Sequence, residues 1–464
     1  MEKSKIILSD LHLGAGSFEQ GNALEDFTGD EILAAFLERL VAESQAEGRE
    51  LELIFAGDTF EFLQVPALEP AEPFLPTLHY PPERYRSSAE EPSRRKMAAI
   101  IAGHPQVFAA LQAFIQPTFP RRTISFIKGN HDVNLHWRKV QDAICQAIGA
   151  LDERADCVSF VERRIAREGI YVEHGNQYAD RLSHFPDFEE PHAVDAPDEL
   201  YLPAGARLAI ELLNDIEWQH YWMDGVKPLT ALIWYTFVFD FDLAVRMLRA
   251  LLQAAPLLLG PGPSAEAEAE EVGALPRRVL EELDDEKHLR VVRRDPTLRE
   301  GFFRRVAQAM GAYGSSSSLA EEEEAFEVGG PWRRRLLERG LAQERAQSAA
   351  LTDFARLRYA QEQVRVVVFG HSHEACSVPL GEGAVYINTG TWTWQRDFAG
   401  ESYSAWRKLF RRPELFTNRC TLTYARINYD AEGQPEGQLR ELEVERPPQE
   451  SSWQRLWSWL RPRR

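Results

Sequence analysis

The stretch KIILSDLHLGAG, Lys5–Gly16, begins with an apolar run and ends in glycines, with Asp10 and His12 between them. Alternate residues of an extended chain point to the same side, so the two side chains are expected to converge. A carboxylate and an imidazole both offer lone pairs, which indicates a cation between them. One pair does not make a site, so further ligands would have to come from other strand ends.

Four further blocks share this arrangement of an apolar strand that ends on metal-ligand residue types. They are GDTFE with Asp58, GNHD with Asn130 and His131, VEHG with His174, and GHSH with His371 and His373. Taken singly, such a block is usually turn chemistry or structural hydrogen bonding. Five in succession favour a metal centre, and oxygen and imidazole donors without thiolate are typical of Mn²⁺, Fe or Zn²⁺.

The pattern of apolar and polar residues along the chain predicts an α/β protein with a helical insertion. Short β-rich runs alternate with helical patterns over residues 1–202, which predicts the first part of an α/β core. Residues 203–360 are helical segments interrupted by GPGPSAEAEAEE, GSSSS and EEEE, which are typical of solvated loops. Apolar runs typical of buried strands occur again over residues 361–446, which are the predicted second part of the core. A basic amphipathic tail follows at residues 447–464.

The composition limits the classes of protein that this chain can belong to. The formal net charge is −19, which disfavours a protein that wraps nucleic acid, because phosphate neutralisation needs a basic surface. The four cysteines form no C-x-x-C pair and are expected to be reduced thiols. The chain begins without a signal-peptide pattern, so the prediction is a cytoplasmic protein. The apolar stretch ALIWYTFVF is too short to span a bilayer.

The five blocks, in this order, resemble those of the calcineurin-like metallophosphoesterase superfamily, over residues 1 to about 185 and about 364 to 395. The resemblance implies a layered β-sandwich flanked by helices and a binuclear metal centre. It assigns Asp10, His12 and His373 to one ion, Asn130, His174 and His371 to the other, and Asp58 to the bridge. It also implies that His131 is a catalytic histidine and not a ligand, and Asp132 beside it is the second candidate catalytic residue. The NTGT sequence at Asn388–Thr391 is similar to the closing loop of the family.

The implied reaction is hydrolysis of a phosphomonoester, phosphodiester or pyrophosphate by a hydroxide held at two divalent ions. Mn²⁺ is the first expectation for these ions, with Fe or Zn²⁺ as alternatives. Only Asp10 and Asp58 among the ligands are anionic, so two divalent ions would leave a net positive site that suits a phosphate ester.

Within the superfamily, SDLHLG, GDTFEF and HGNQY are most similar to the bacterial UDP-2,3-diacylglucosamine pyrophosphohydrolase branch. The chain is longer than the compact members of that branch, and the helical insertion separates His174 from His371. His131 also stands where many of its members have arginine. The resemblance therefore carries over the mechanism and leaves the substrate open. A nuclease and a catalytically silent scaffold are the alternative functions; the net charge disfavours the first, and a complete ligand set disfavours the second.

Two apolar segments outside the motif blocks each have two interpretations. The stretch Pro228–Gly260 is either a cap groove for the acyl or prenyl chain of a nucleotide- or lipid-linked substrate, or the core of the insertion or an oligomer interface. The tail SSWQRLWSWLRPRR places Trp453, Leu456, Trp457 and Leu460 on one helical face among arginines. This tail either docks on the protein or a sister subunit, or contacts an anionic membrane surface through residues 453–461.

Overall fold

The computed structural model describes residues 2–179, 182–249, 279, 281–309, 331–417 and 419–445. Within these residues the chain is a mixed α/β protein, so the predicted class is confirmed. The described strands are β1 (Lys3–Leu8), β2 (Glu50–Ala56), β3 (Arg122–Ile127), β4 (Val158–Val161), β5 (Arg164–Arg167), β6 (Ile170–Glu173), β7 (His192–Ala193), β8 (Ala196–Leu200), β9 (Val226–Lys227), β10 (Val366–Phe369), β11 (Cys376–Gly381), β12 (Ala384–Asn388), β13 (Arg396–Asp397), β14 (Arg419–Tyr429) and β15 (Pro435–Glu445).

The helices of the described residues follow in the same chain order. They are α1 (Asp30–Glu47), α2 (Pro82–Arg86), α3 (Glu90–Gly103), α4 (Pro105–Ile115), α5 (Arg138–Ala147), α6 (Asn176–Ala179), α7 (Ala204–Leu208), α8 (Asn214–Gln219), α9 (Leu229–Phe239), α10 (Glu286–Arg294), α11 (Pro296–Ala309), α12 (Pro331–Glu362) and α13 (Tyr403–Arg411). Residues 241–249 are also helical. Short 3₁₀ segments lie at Phe18–Gln20, Val133–His136, Asp152–Cys157 and Pro413–Leu415, and a π turn at Ala209–Leu213 joins α7 to α8.

Two sheets form the framework of a first compact unit, which comprises the described parts of Met1–Gly225, Ala346–Gln395 and Thr417–Pro448. The six-stranded sheet has the order β15-β14-β1-β2-β3-β4, and β1 to β4 are parallel. The five-stranded sheet has the order β11-β12-β10-β6-β5, and β12, β10 and β6 are parallel. In each sheet, therefore, the carboxyl ends of the central strands lie along one edge.

The two sheets share one apolar cluster, which buries one face of each sheet. The cluster includes Ile7, Ile54 and Ile127 from the first sheet and Val172, Val368 and Ile387 from the second. The neighbours of Ile7 on β1, Ile6 and Leu8, belong instead to the cluster shared with the helices α1, α3, α4 and α5. Successive strand residues therefore face opposite sides, as the pleat requires.

The sequence predicts one helix from about Arg95 to Ile115, whereas the structure has two, α3 and α4, with a break between them. His104 separates the two helices with φ −126° and ψ 52°, because the residue before a proline is disfavoured in the helical region. Pro105 then begins α4. No single described helix is both long and apolar enough to cross a membrane; α3 and α4 reach that length and composition only together, across a 90° bend.

A second unit comprises the described parts of Val226–Arg345 and Arg396–Phe416, and it is mainly helical. The sequence placed the start of the insertion at residue 203, but α7 and the π turn belong to the first unit. The reason is tertiary, because Ala206 and Ile210 pack with Leu24 and Tyr80. The sequence placed the end of the insertion at residue 360, whereas the first unit resumes at Ala346, within α12.

The described part of the apolar stretch Pro228–Gly260 packs inside the second unit. Phe237, Phe241 and Leu248 are buried in one cluster with Leu283 and Phe302. This part of the stretch is therefore core. The predicted loops GPGPSAEAEAEE, GSSSS and EEEE and the tail at residues 447–464 lie outside the described residues.

Candidate metal centre

The candidate ligands follow the carboxyl ends of five strands in the first unit. Asp10 and His12 follow β1, Asp58 follows β2, Asn130 follows β3, His174 follows β6, and His371 and His373 follow β10. These strands are parallel to their neighbours in the centre of each sheet. The topology therefore carries residues that are far apart in sequence to one edge.

The structure brings the predicted ligands together in two groups. In each group one ligand atom per residue lies within 4.8 Å of the others, and the groups are Asp10, His12 and His373, and Asp58, His174 and His371. Asn130 joins the second group, because its Oδ1 lies 3.1 Å from His174 Nε2. The grouping is the one that the sequence motifs imply, and the assignment of the residues as ligands stays a prediction.

Asp58 connects the two groups through both its side chain and its backbone. Its Oδ2 lies 3.0 Å from His174 Nε2 in the second group. Its backbone carbonyl accepts hydrogen bonds from Leu11 N at 2.9 Å and His12 N at 3.0 Å. Its Oδ1 accepts from the backbone N–H of His131 at 2.8 Å. Asp58 thus contacts three loops: its carboxylate contacts those of His174 and His131, and its backbone carbonyl contacts that of His12.

The backbone is strained at five of the candidate ligands. The φ angles are positive at Asp10 (53°), His12 (52°), Asp58 (49°), His371 (69°) and His373 (61°). Left-handed backbone costs a residue with a Cβ roughly 1–2 kcal/mol. Such conformations persist where the surrounding structure enforces them, and they cluster at functional sites. The five angles therefore support a functional role for this edge.

One glycine is required for the loops to approach each other this closely. Gly57 has a φ of 90°, and a Cβ there would lie 2.5 Å from the His174 ring. A side chain at this position would displace His174 from Asp58 or unfold the turn after β2. The GD pair of GDTFE is therefore explained by packing against a candidate ligand.

In His174 and His12 the ring Nδ1 contacts another group of the protein, which leaves Nε2 to face a ligand. His174 Nδ1 lies 3.0 Å from the carbonyl oxygen of Ala56. His12 Nδ1 lies 2.8 Å from Glu61 Oε2, and His12 Nε2 lies 3.2 Å from His373 Nε2. Metal-ligating histidines commonly hold their second nitrogen on a carbonyl or carboxylate in this way, which fixes the tautomer and the ring orientation.

Glu61 is a buried carboxylate that the sequence motifs did not single out, although it stands in the GDTFE block. Its Oε2 lies 2.6 Å from His131 Nδ1 and 2.8 Å from His12 Nδ1. Its Oε1 accepts a hydrogen bond from Leu63 N at 2.9 Å. Burial raises the pKa of Glu61, but His131 and His12 outweigh burial and lower this pKa to about 2. Glu61 is therefore an anion that joins a candidate ligand to the candidate catalytic histidine.

His131 and Asp132 are neighbours in sequence but occupy different environments. The side chain of His131 is 28% exposed, whereas Asp132 is fully buried. Asp132 accepts hydrogen bonds from Gly129 N at 2.6 Å and from Thr59 N at 2.8 Å. These contacts join the GNHD loop to the GDTFE loop, and Asp132 belongs to none of the ligand groups found among the described residues.

The NTGT loop forms hydrogen bonds to both the loop after β1 and the loop after β10. Asn388 Nδ2 donates to the carbonyl of Gly370 at 2.8 Å. Thr391 Oγ1 donates to the carbonyl of Asp10 at 2.8 Å, and the hydroxyls of Thr389 and Ser9 lie 2.6 Å apart. The loop therefore positions candidate ligands without supplying one.

The donor set fits divalent metal ions. It offers two buried carboxylates, four imidazoles and an amide oxygen, which is a hard to borderline set without thiolate. A buried carboxylate is costly unless a positive charge compensates it. In the metal-free protein burial lowers the pKa of His174, but Asp58 and Asp10 outweigh burial and raise that pKa to about 9. A bound cation would replace the proton on His174 as the positive charge that compensates the buried Asp58 and Asp10 carboxylates.

A second buried pair braces the loop that follows His12. The Glu25 carboxylate accepts hydrogen bonds from Gly14 N at 3.2 Å and Gly16 N at 2.5 Å. His104 Nε2 lies 3.4 Å from Glu25 Oε1, and His104 Nδ1 lies 2.9 Å from Asp30 Oδ1. Burial lowers the pKa of His104, but the Glu25 and Asp30 carboxylates outweigh burial and raise it to about 10.

The His104 pair predicts a pH dependence of stability. Folded His104 keeps a proton that the unfolded chain loses above about pH 6.5, so its contribution is full below that pH and disappears as the pH rises toward 10. The free energy of unfolding should therefore fall by up to about 1.4 kcal/mol per pH unit in this range. Urea unfolding of the chelator-treated protein and of His104→Gln at pH 7, 8 and 9 measures this slope. Equal slopes in the two proteins would contradict the prediction.

Comparison with known proteins adds no relative to this picture. No protein-family model matches the chain, and none of the curated proteins is significantly similar to it. The functional conclusion therefore rests on the motif blocks and on the geometry of the centre that they form.

Proposed function

We propose that this chain is a binuclear metal-dependent phosphoesterase, and that its two sheets form the layered sandwich of the calcineurin-like phosphoesterase fold. The observation that carries the proposal is the convergence of ligand-type residues from five separate strand ends into two groups joined by Asp58. The positive φ angles at five of these positions support it, because strained backbone of this kind clusters at active sites and ligand-binding sites.

The ions would be held by residues that already lie together. Asp10, His12 and His373 would hold one ion, Asn130, His174 and His371 the other, and Asp58 would be shared. Mn²⁺ is the proposed metal, with Fe or Zn²⁺ as alternatives. When bound, two such ions activate water and neutralise phosphate charge.

His131 is the proposed proton donor of the reaction. Because its Nδ1 is held by the Glu61 carboxylate, its Nε2 is the nitrogen that can reach the substrate. Partial exposure of the ring is consistent with contact to a substrate. From this position His131 can protonate the leaving oxygen or donate a hydrogen bond to the charged phosphoryl group. Glu61 would orient the ring and favour its protonated form.

Asp132 is proposed to act as a positioning residue. Its two carboxylate oxygens bind backbone N–H groups of two different loops. These loops carry Asp58 and His131, so Asp132 controls the distance between the shared ligand and the proton donor. Its catalytic role would then be indirect, through the geometry of the centre.

The proposed substrate is a phosphoester, with nucleotide- and lipid-linked esters as the first candidates. The net charge of −19 disfavours a long nucleic acid, since the whole chain would repel its phosphates. A compact substrate with one or two phosphate groups would meet the positive centre without that repulsion.

Metal analysis combined with a hydrolysis assay tests this proposal. The full-length protein is freed of metal with a chelator, reloaded with Mn²⁺, Fe²⁺ or Zn²⁺, and assayed on a chromogenic phosphodiester. We expect at least two equivalents of metal per chain and turnover that depends on their return. A protein that purifies without stoichiometric metal and shows no turnover would be a scaffold. A panel of nucleotide–lipid pyrophosphates, cyclic nucleotides and DNA then identifies the substrate class, and a clear preference for DNA would favour the nuclease alternative.

A further inference from the structure

A second group of histidines and carboxylates lies outside the proposed centre. His136 ends the 3₁₀ segment that follows the GNHD loop, and Glu190 and His192 stand at the start of the β7–β8 hairpin. One ligand atom of each residue lies within 4.8 Å of the other two. The rings of His136 and His192 meet edge to face, with centroids 5.0 Å apart. These three residues are called the hairpin cluster below.

Both histidines of the hairpin cluster have a ring nitrogen that lacks a hydrogen-bond partner. The Nδ1 atoms of His136 and His192 are buried and unpaired among the described residues. The nearest carboxylate oxygen to His136 Nδ1 belongs to Glu162, at 3.7 Å, which is too long for a hydrogen bond. Buried nitrogens of this kind are uncommon and call for a bound water or ion.

Neighbouring groups hold the hairpin cluster in place. The Trp137 ring lies 5.5 Å from the rings of both His136 and His192, and its Nε1 donates to the carbonyl of Ser88 at 2.8 Å. Glu190 N donates to Asp187 Oδ1 at 3.0 Å, which fixes the turn before β7. The two imidazoles therefore come from separate segments that are each anchored by their own contacts.

The local charge leaves the Glu190 carboxylate available for a cation. The buried amine of Lys128 lies 2.5 Å from Glu162 Oε2, so this lysine is compensated by a carboxylate outside the hairpin cluster. Glu190 Oε2 lies 3.8 Å from His192 Nε2. Among the described residues the direct ion-pair partner of Lys128 is therefore Glu162, and one carboxylate and two imidazoles lie together in the hairpin cluster.

We propose that His136, Glu190 and His192 form a third metal site, which takes Zn²⁺ and fastens the β7–β8 hairpin to the segment after the GNHD loop. Two imidazoles and a carboxylate with an open fourth position are a typical zinc ligand set, whereas Ca²⁺ and Mg²⁺ prefer oxygen alone. The apolar cluster beneath the hairpin is small and consists of Val133, Phe185, Phe188 and Leu200. A metal cross-link would add to this limited core.

Zinc stoichiometry tests the third site without reference to the activity. Full-length protein and His136→Ala/His192→Ala are freed of metal and dialysed against Zn²⁺ alone, and bound zinc is counted by mass spectrometry. We expect the variant to bind one equivalent less than the unchanged protein, whatever number the two proteins share at the binuclear centre. The failure of the binuclear proposal would change the shared number and leave this difference intact.

His288→Ala is the matched control. The His288 side chain is 35% exposed, like that of His192, and its Nε2 lies 3.8 Å from one carboxylate oxygen of Glu282. It belongs to none of the ligand groups found in the described part of the chain. We therefore expect His288→Ala to bind as much zinc as the unchanged protein.

Equal zinc counts in the double variant and the unchanged protein would overturn the third site. Should the double variant fail to fold by circular dichroism, His192→Ala alone decides, because it changes only a partly exposed hairpin residue. It should weaken the affinity for one zinc ion by more than about 100-fold, since even an outer-shell change costs about 10–100-fold. Zinc should also slow hydrogen exchange over residues 192–200 in the unchanged protein, and an unchanged exchange rate would likewise count against the site.

Discussion

Asp58→Asn is expected to lower kcat/KM for a chromogenic phosphodiester by at least about 10³-fold while the fold stays intact. The change replaces the carboxylate that lies 3.0 Å from His174 Nε2 and is proposed to be shared by the two ions. The hydrogen bonds of Leu11 N and His12 N go to the backbone carbonyl of Asp58 and are retained. Loss of a single outer-shell contact already costs about 10–100-fold in metal affinity or activity, and Asp58 is proposed to serve two ions directly. Asparagine has the same shape, so packing around β2 should survive.

Metal content and activity are measured together for this variant, with circular dichroism as the check on folding. Glu52→Gln is the matched control, because Glu52 is also a buried carboxylate and lies on β2, the strand that precedes Asp58. Its partners are Lys5, Ser125 and Arg167, none of them a candidate ligand. We expect Glu52→Gln to keep its metal and its turnover. If Asp58→Asn retained two metals and near-normal turnover, the shared-ligand proposal would be wrong.

The structure brings together the candidate ligands that the family resemblance groups, but the backbone at Asp10 and His12 differs from the one expected. Asp10 and His12 were expected to converge because alternate residues of a strand face one side. In the structure both residues lie beyond β1 with positive φ, so a turned backbone brings them together. The i, i+2 spacing predicted that the two side chains would lie close together, and they do so through a local geometry that is different from the one assumed. Strain of this kind has no signature in residue type, since neither residue is a glycine.

Glu61 shows what the sequence could not reveal. The GDTFE block contains it, but its importance lies in two contacts, to His12 and His131, that join distant parts of the chain. Asp132 is the converse case, because its position beside His131 suggested catalysis while its oxygens face backbone amides. In both cases the direction of a side chain decides the role, and that direction depends on tertiary packing.

The boundary between the two units also depends on tertiary packing, which is why the sequence placed it at a different residue. The helical pattern of residues 204–219 is like that of the segments after it, and no break in composition separates them. Long-range contacts, such as the packing of Ile210 with Leu24 and Tyr80 and the hydrogen bond from Asn214 Nδ2 to the carbonyl of Leu63, tie this segment to the first unit. The α/β class followed from strand and helix periodicity, which is local, whereas the boundary depends on contacts between residues far apart in sequence.

His131→Ala is expected to lower kcat by about 10²–10⁴-fold, the usual contribution of a positioned acid or base, with metal content unchanged. The reason is that His131 is proposed as a proton donor whose Nδ1 is held by Glu61, and not as a metal ligand. His79→Ala is the matched control, because that side chain is 27% exposed against 28% for His131 and pairs with Asp215 instead. A parallel loss of metal and rate in His131→Ala would make His131 a ligand.

The coupling of His131 to Glu61 can be measured by combining substitutions at saturating metal. If Glu61 acts through the orientation of His131, Glu61→Gln should slow the unchanged enzyme yet add little to His131→Ala. Saturating metal is needed because Glu61 also holds His12, a proposed ligand, and its loss would weaken metal binding as well. If the effects of Glu61→Gln and His131→Ala on kcat were fully additive, Glu61 would act through His12 and the metal, and not through His131. Near-complete coupling would make the carboxylate and imidazole one functional pair, as their 2.6 Å contact indicates.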